Sequence, residues 1–139
     1  MTTQSANYST KHIGSLKNIL ANDFNGIYGK HFTRNELGLT GCEVSINCIP
    51  AGKGVAFIHS HKKNEELYVV LRGSGIFYVD GEEFPIQEGS LIRVAPAGER
   101  ALSAGNEDMF YICIQAEEGS LTGATREDGI KLPGKASWM

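Results

Sequence analysis

The sequence carries no surplus of basic charge, no long apolar run and no paired cysteines, and each lack removes a class of function. Thirteen Lys and Arg face sixteen Asp and Glu, a formal charge of −3 with a pI near 5.8. That balance leaves no electrostatic footprint for nucleic acid or an anionic membrane. No stretch approaches the roughly 18 consecutive apolar residues of a spanning helix. Met1–Asn7 is polar and lacks the basic start and apolar core of a secretory signal. The three cysteines (Cys42, Cys48, Cys113) are odd in number and show no CxxC spacing, which argues against a disulfide framework or a zinc ribbon. A cytoplasmic domain with reduced thiols is expected. Gly26, Gly29 and Lys30 do not form the GxxxxGK[ST] phosphate loop, and no Ser lies in a G-x-S-x-G elbow.

What is present reads as one all-β domain. A chain of 139 residues can bury a core without staples, and seventeen Gly against four Pro favour many short, turn-linked strands. Residues 1–40 are irregular in pattern, with one weak apolar set at Ile13, Leu16, Ile19 and Leu20 that suits a short helix or an arm laid on the body. From Cys42 to Ile49 the residues alternate with the period of a half-buried strand. Further strands are expected at Val55–Ser60, Glu66–Leu71, Ile76–Asp80, Glu83–Ile86, Ser90–Ala95, Ala101–Ser103 and Met109–Gln115. Asp80-Gly81, flanked by apolar residues, predicts a tight hairpin. After Gln115 the chain turns polar and Gly-rich.

One dense cluster of metal-ligating residue types stands out, His59-Ser60-His61 followed by Glu65-Glu66. Residues two apart on a strand project to one face, so His59 and His61 would point together. Lys62–Glu65 is a natural turn that would return the chain and set Glu66 beside them. Two imidazoles and a carboxylate suit divalent Zn, Fe, Mn, Ni or Cu and leave positions open for substrate. Two surface histidines beside a charged turn have the same spacing.

Gly54 to Gly73 resembles the first motif of the cupin superfamily, G(X)5HXH(X)3,4E(X)6G. His59, His61, Glu66 and Gly73 match, and Gly54 stands one residue too close. Gly89, Pro96 and Gly98 are similar to the second motif, G(X)5PXG(X)2H(X)3N, with six rather than five residues before Pro96. The motif's histidine would fall on Ala101 and its asparagine on Gly105, and no His follows His61. The resemblance implies a double-stranded β-helix (cupin, jelly-roll) barrel at residues 41–117, with an N-terminal arm at 1–40 and a C-terminal tail at 118–139 packed on the barrel. It further implies a homodimer, a small-molecule ligand and, for an enzyme, a metal-dependent isomerase, lyase or dioxygenase.

Without the second histidine three arrangements stay open. His59, His61 and Glu66 hold a divalent Fe, Mn, Ni or Zn ion alone; the cavity is a metal-free sensing or carbohydrate-binding site; or another residue replaces the ligand. His12 and His31 could serve only if the arm folded over the barrel mouth. If Glu66 faces inward, so do Tyr68 and Val70, and Tyr68 becomes a candidate hydrogen-bond donor or weak acid. Phe57, Ala101, Tyr111 and Cys113 are candidate pocket residues, Cys113 also as a soft ligand. Burial as a small apolar residue is the competing reading for Cys113 and the favoured one for Cys42 and Cys48. Arg93 reads as an outward surface residue, or as a carboxylate clamp if it points inward. Glu99 and Arg100 read as a solvated turn.

Overall fold

The computed structural model describes residues 2–4, 7–24 and 27–139, with side chains for 7–22 and 29–139. Gly26 of the failed phosphate loop lies outside them. The first forty residues hold β1 (Thr2–Gln4), β2 (Ser9–Lys11), a 3₁₀ helix (Leu16–Ala21), β3 (Asp23–Phe24), β4 (Ile27–Tyr28), β5 (Lys30–Phe32) and the single helical turn α1 (Arg34–Leu37). The remaining strands are β6 (Glu43–Ile49), β7 (Asn64–Arg72), β8 (Ser74–Val79), β9 (Glu82–Gln87), β10 (Leu91–Val94), β11 (Arg100–Ala104) and β12 (Met109–Glu117). They form an antiparallel five-stranded sheet in the order β10-β7-β12-β6-β5 and a three-stranded sheet in the order β11-β8-β9. The main core draws on both sheets, with Tyr68, Val70, Phe77, Ile86, Val94, Leu102, Met109 and Tyr111 among its members.

The expected Asp80-Gly81 hairpin is present. Val79 pairs with Glu82 across a two-residue turn, and both turn residues have positive φ, 51° and 86°, the geometry that suits the twist of paired strands. Glu66, Tyr68 and Val70 are buried on one face of β7, as period two requires.

Of the arrangements open to residues 1–40, the N-terminal segment takes short strands and a short helix. β5 joins the main sheet beside β6. The 3₁₀ helix, with Ser15 accepting from Lys17 N–H at its start, buries Ile19 against Cys48 and Phe110 in a second cluster, with Ile13 and Leu20 alongside. The apolar face of β6 is therefore its outer face, roofed by this segment, and its other face turns buried Ser45 and Asn47 inward. Cys42, at the end away from the helix, is only half-buried.

Three further expectations are corrected. Val55–Ser60 forms no regular strand: it bends at Ala56 and Phe57 and meets the second sheet through isolated bridges, Gly54 to Ser103 just before it and His59 to Arg100 within it. The turn before β7 is shorter than Lys62–Glu65, since Asn64 and Glu65 already pair with Glu117 and Ala116 of β12. The tail after β12 forms no strand, and with no ladder to hold it Leu121, Ile130, Leu132, Trp138 and Met139 stay 70–81% exposed rather than packing on the barrel.

Gly75 marks the closest approach within the smaller sheet, because a Cβ there would fall on the Ser103 carbonyl oxygen. Gly75→Ala is expected to cost about 1–3 kcal/mol by overpacking. Gly81→Ala meets open space and is expected to cost only about 1 kcal/mol, through its positive φ. Urea denaturation of the two variants checks the order, and equal stabilities would contradict this packing.

Candidate metal centre and cavity

The site is assembled across the two sheets. Glu66 comes from β7 of the larger sheet. His59 and His61 come from the segment bound to the smaller one, through His59 N–H to Arg100 O (3.1 Å), Arg100 N–H to His59 O (2.9 Å) and His61 N–H to Pro96 O (2.8 Å). The histidines still point together, although no regular strand carries them, because backbone bonds to Arg100 and Pro96 hold the chain at both residues. Their rings stand edge to face, with centroids 5.2 Å apart.

One ligating atom from each of His59, His61 and Glu66 falls within a 4.8 Å cluster. His61 Nε2 lies 3.2 Å from Glu66 Oε2 and His59 Nε2 lies 3.7 Å from Oε1. Neither approach is aligned as a hydrogen bond, and His61 Nε2 is buried with no partner among the described residues. Glu66 is 4% exposed. It accepts from the Tyr68 hydroxyl (2.8 Å) and the Cys113 thiol (3.2 Å). Burial by itself pushes the carboxyl up, but the His59 ring, the Tyr68 and Cys113 donors and nearby His61 outweigh it and hold it at about 2.

Arg100 was missed at the sequence level. It is fully buried rather than solvated, with Nη2 donating to Ala95 O (2.8 Å) and Nη1 3.7 Å from Glu66 Oε1. Its Nε and Nη1 have no hydrogen-bond partner among the described residues. The turn residues Pro96-Ala97-Gly98 masked it, because they suggest exposure for whatever follows. The available clue was its place immediately before an expected strand.

A cavity of about 220 Å³ opens beside the cluster. The sequence-selected Phe57, Tyr68, Ala101, Tyr111 and Cys113 all line it, with Val55 and Leu102. Phe57 sits half-exposed, its ring 6.2 Å from that of His59. Burial first, then Cys113 and Glu66, pushes the Tyr68 phenol far above its ordinary 10, so Tyr68 acts as a hydrogen-bond donor and not as an acid near neutrality. Burial and the Glu66 carboxylate likewise push the Cys113 thiol up, and in this structure it donates to Glu66.

The N-terminal strand reaches the cavity, though not with a histidine. Lys30 and Phe32 of β5 line it, while His31, between them, faces away to Glu36 (2.6 Å) and Asn22 (3.3 Å). His12 is exposed. Arg93 is also on the outside, bonded to Glu65 and Glu118 at 2.9 Å each.

A model of the cupin domain family matches residues 46–115. The chain is similar to the crystal structure of a cupin protein from Bacteroides fragilis, 39% identical, covering 93% of this chain and 100% of that one with a TM-score of 0.80. A Klebsiella pneumoniae protein with a double-stranded β-helix domain, 15% identical, covers 80% of this chain and 94% of its own at a TM-score of 0.63, a likeness of fold. The oxalate-binding protein of Thermotoga maritima is 27% identical over 67 residues, 48% of this chain and 54% of that protein. The chain spans about half the length of the curated relatives it matches.

The depressed Glu66 carboxyl has a consequence for metal-free protein. Its folded value, about 2, lies below the ordinary 4.5, so its contribution to stability is present above about pH 4.5 and is lost as pH falls toward 2. Glu66→Gln is expected to flatten that part of the stability–pH curve. Urea titrations of both proteins between these pH values check it, and parallel curves would contradict an ionised Glu66.

Proposed function

This chain belongs to the cupin domain family, and on that footing we propose that it holds a divalent transition metal through His59, His61 and Glu66 and binds a small organic molecule in the adjoining cavity. The carrying observation is the unpartnered, buried His61 Nε2, 3.2 Å from an ionised carboxylate, with His59 completing the cluster. Imidazole nitrogen and carboxylate oxygen together are a donor set for Fe, Mn, Ni or Zn, so the residues fit the ion. Such an ion supplies Lewis acidity toward an oxygen of the bound molecule.

The chain's own groups do the rest. Tyr68 and Cys113 fix both Glu66 oxygens from the cavity side. Val55, Phe57, Leu102 and Tyr111 give the molecule an apolar wall that limits water. One observation favours a second reading, a metal-free binding pocket. The Arg100 guanidinium, 3.7 Å from Glu66, already supplies a positive charge beside the carboxylate.

Elemental analysis separates the two. Wild type incubated with each of Fe(II), Mn(II), Ni(II) and Zn(II) and then dialysed is expected to retain about one equivalent of at least one ion. The His59→Ala/His61→Ala variant is expected to retain none. Because a bound ion stabilises only the folded state, saturation at about 100 times Kd would add about 2.7 kcal/mol, visible as a thermal shift absent from the variant. Wild type that retains no ion would overturn the metal reading and leave the metal-free pocket.

A further inference from the structure

We propose that Lys30 makes this cavity selective for a small carboxylate-bearing molecule, holding the carboxylate at the side contributed by the N-terminal strand. The inference deepens the small-molecule reading above but does not require the metal. Lys30 lies outside the residues matched by the family model. It reaches the cavity only because β5 pairs with β6 in the register Lys30 to Asn47 and Phe32 to Ser45.

The position is built. Asn47 is 1% exposed, and its Nδ2 is committed to Ser45 Oγ (3.0 Å), Ser45 O (3.2 Å) and Tyr111 O (3.3 Å). That network leaves Asn47 Oδ1 to receive Lys30 Nζ at 3.0 Å. The ammonium lies 5.9 Å from the centroid of the Tyr111 ring. Among the described residues no carboxylate comes within 4.0 Å of it. An ammonium has three donors, and its hydrogen-bond partner among the described residues is a neutral amide. Burial, opposed by Cys113 and Glu66, disfavours its charge, so an anion beside it would relieve a cost the folded chain already carries.

The charge inventory points the same way. Among the cavity's lining residues Lys30 is the one Lys or Arg and Glu66 the one carboxylate, and Glu66 is already answered by the Tyr68 and Cys113 donors and by Arg100 at 3.7 Å. The apolar walls lower the local dielectric, which strengthens attraction for an anion. A bound ion at the histidines would add positive charge to the same cavity. A cavity of about 220 Å³ suits a short oxo- or hydroxy-acid, with the carboxylate at Lys30 and the remaining oxygen toward His59 and His61.

Chemical-shift titration of ¹⁵N-labelled protein with oxalate, pyruvate, lactate and their neutral amides tests this, with metal content measured on the same samples. Wild type is expected to bind at least one acid about tenfold or more tighter than its amide, with shifts at Tyr111 and Cys113. Lys30→Met is expected to lose that preference while keeping the wild-type metal content and a cooperative melting transition, lowered by the loss of the Asn47 Oδ1 partner, and Lys30→Arg to restore part of the preference. Binding of no acid by wild type up to about 10 mM, equal binding of acid and amide, or a preference unchanged in Lys30→Met would overturn the proposal. An acid preference that depends on Lys30 in metal-free wild type would sink the metal reading alone, and stoichiometric metal without acid preference would sink this inference alone.

Discussion

Everything in the barrel interior answers to one buried charge. Glu66 is almost wholly out of water, and a carboxylate there is tolerated only when its oxygens are hydrogen-bonded and its charge is balanced. Tyr68 is supplied from the same strand, Cys113 from β12, the histidines from the segment before β7, and Arg100 from β11. These elements belong to both sheets, so satisfying Glu66 also couples one sheet to the other. Burial first, with the Glu66 carboxylate adding to it, favours the neutral, donating forms of Tyr68 and Cys113.

The N-terminal forty residues are part of this arrangement. The 3₁₀ helix covers the outer apolar face of β6 and β12 through Ile19, Cys48 and Phe110. That cover frees the inner face of β6 to be polar, with Ser45 and Asn47 buried there. An inner polar face has little value in a packed core but is what a cavity wall needs. β5 then completes the wall with Lys30 and Phe32. The segment that looked least structured thus contributes the one Lys or Arg among the cavity's lining residues, and it does so from beyond the stretch by which the family is recognised.

Much of the barrel was legible because its signals are local. Period-two alternation marked β6, β7 and β12, and Asp80-Gly81 marked a turn that needs positive φ at both residues. The inward set Glu66, Tyr68 and Val70 followed from the period alone once one member was assigned. What misled were places where distant contacts outrank local pattern. Arg100 follows the Pro96-Ala97-Gly98 turn, yet the Glu66 charge and the Ala95 carbonyl receive it in the interior. Val55–Ser60 has strand composition but meets its neighbour only at bridges. Cys42 shares a face with Cys48 but lies beyond the helix that buries it.

The sequence by itself determined the antiparallel β class, the inward face of β7 and the grouping of His59 and His61 with Glu66, because alternation and short spacing act over a few residues. Only the tertiary structure decided what surrounds that group. Whether the arm would bring a histidine or a lysine into the cavity depended on the register of β5 against β6, where a shift of one residue exchanges Lys30 for His31. Whether Arg100 would face water or Glu66 depended on a pairing between segments some forty residues apart. Local residue pattern carries no information about that register, since it is set by which long-range ladder buries the most apolar surface while leaving the fewest charges unbalanced.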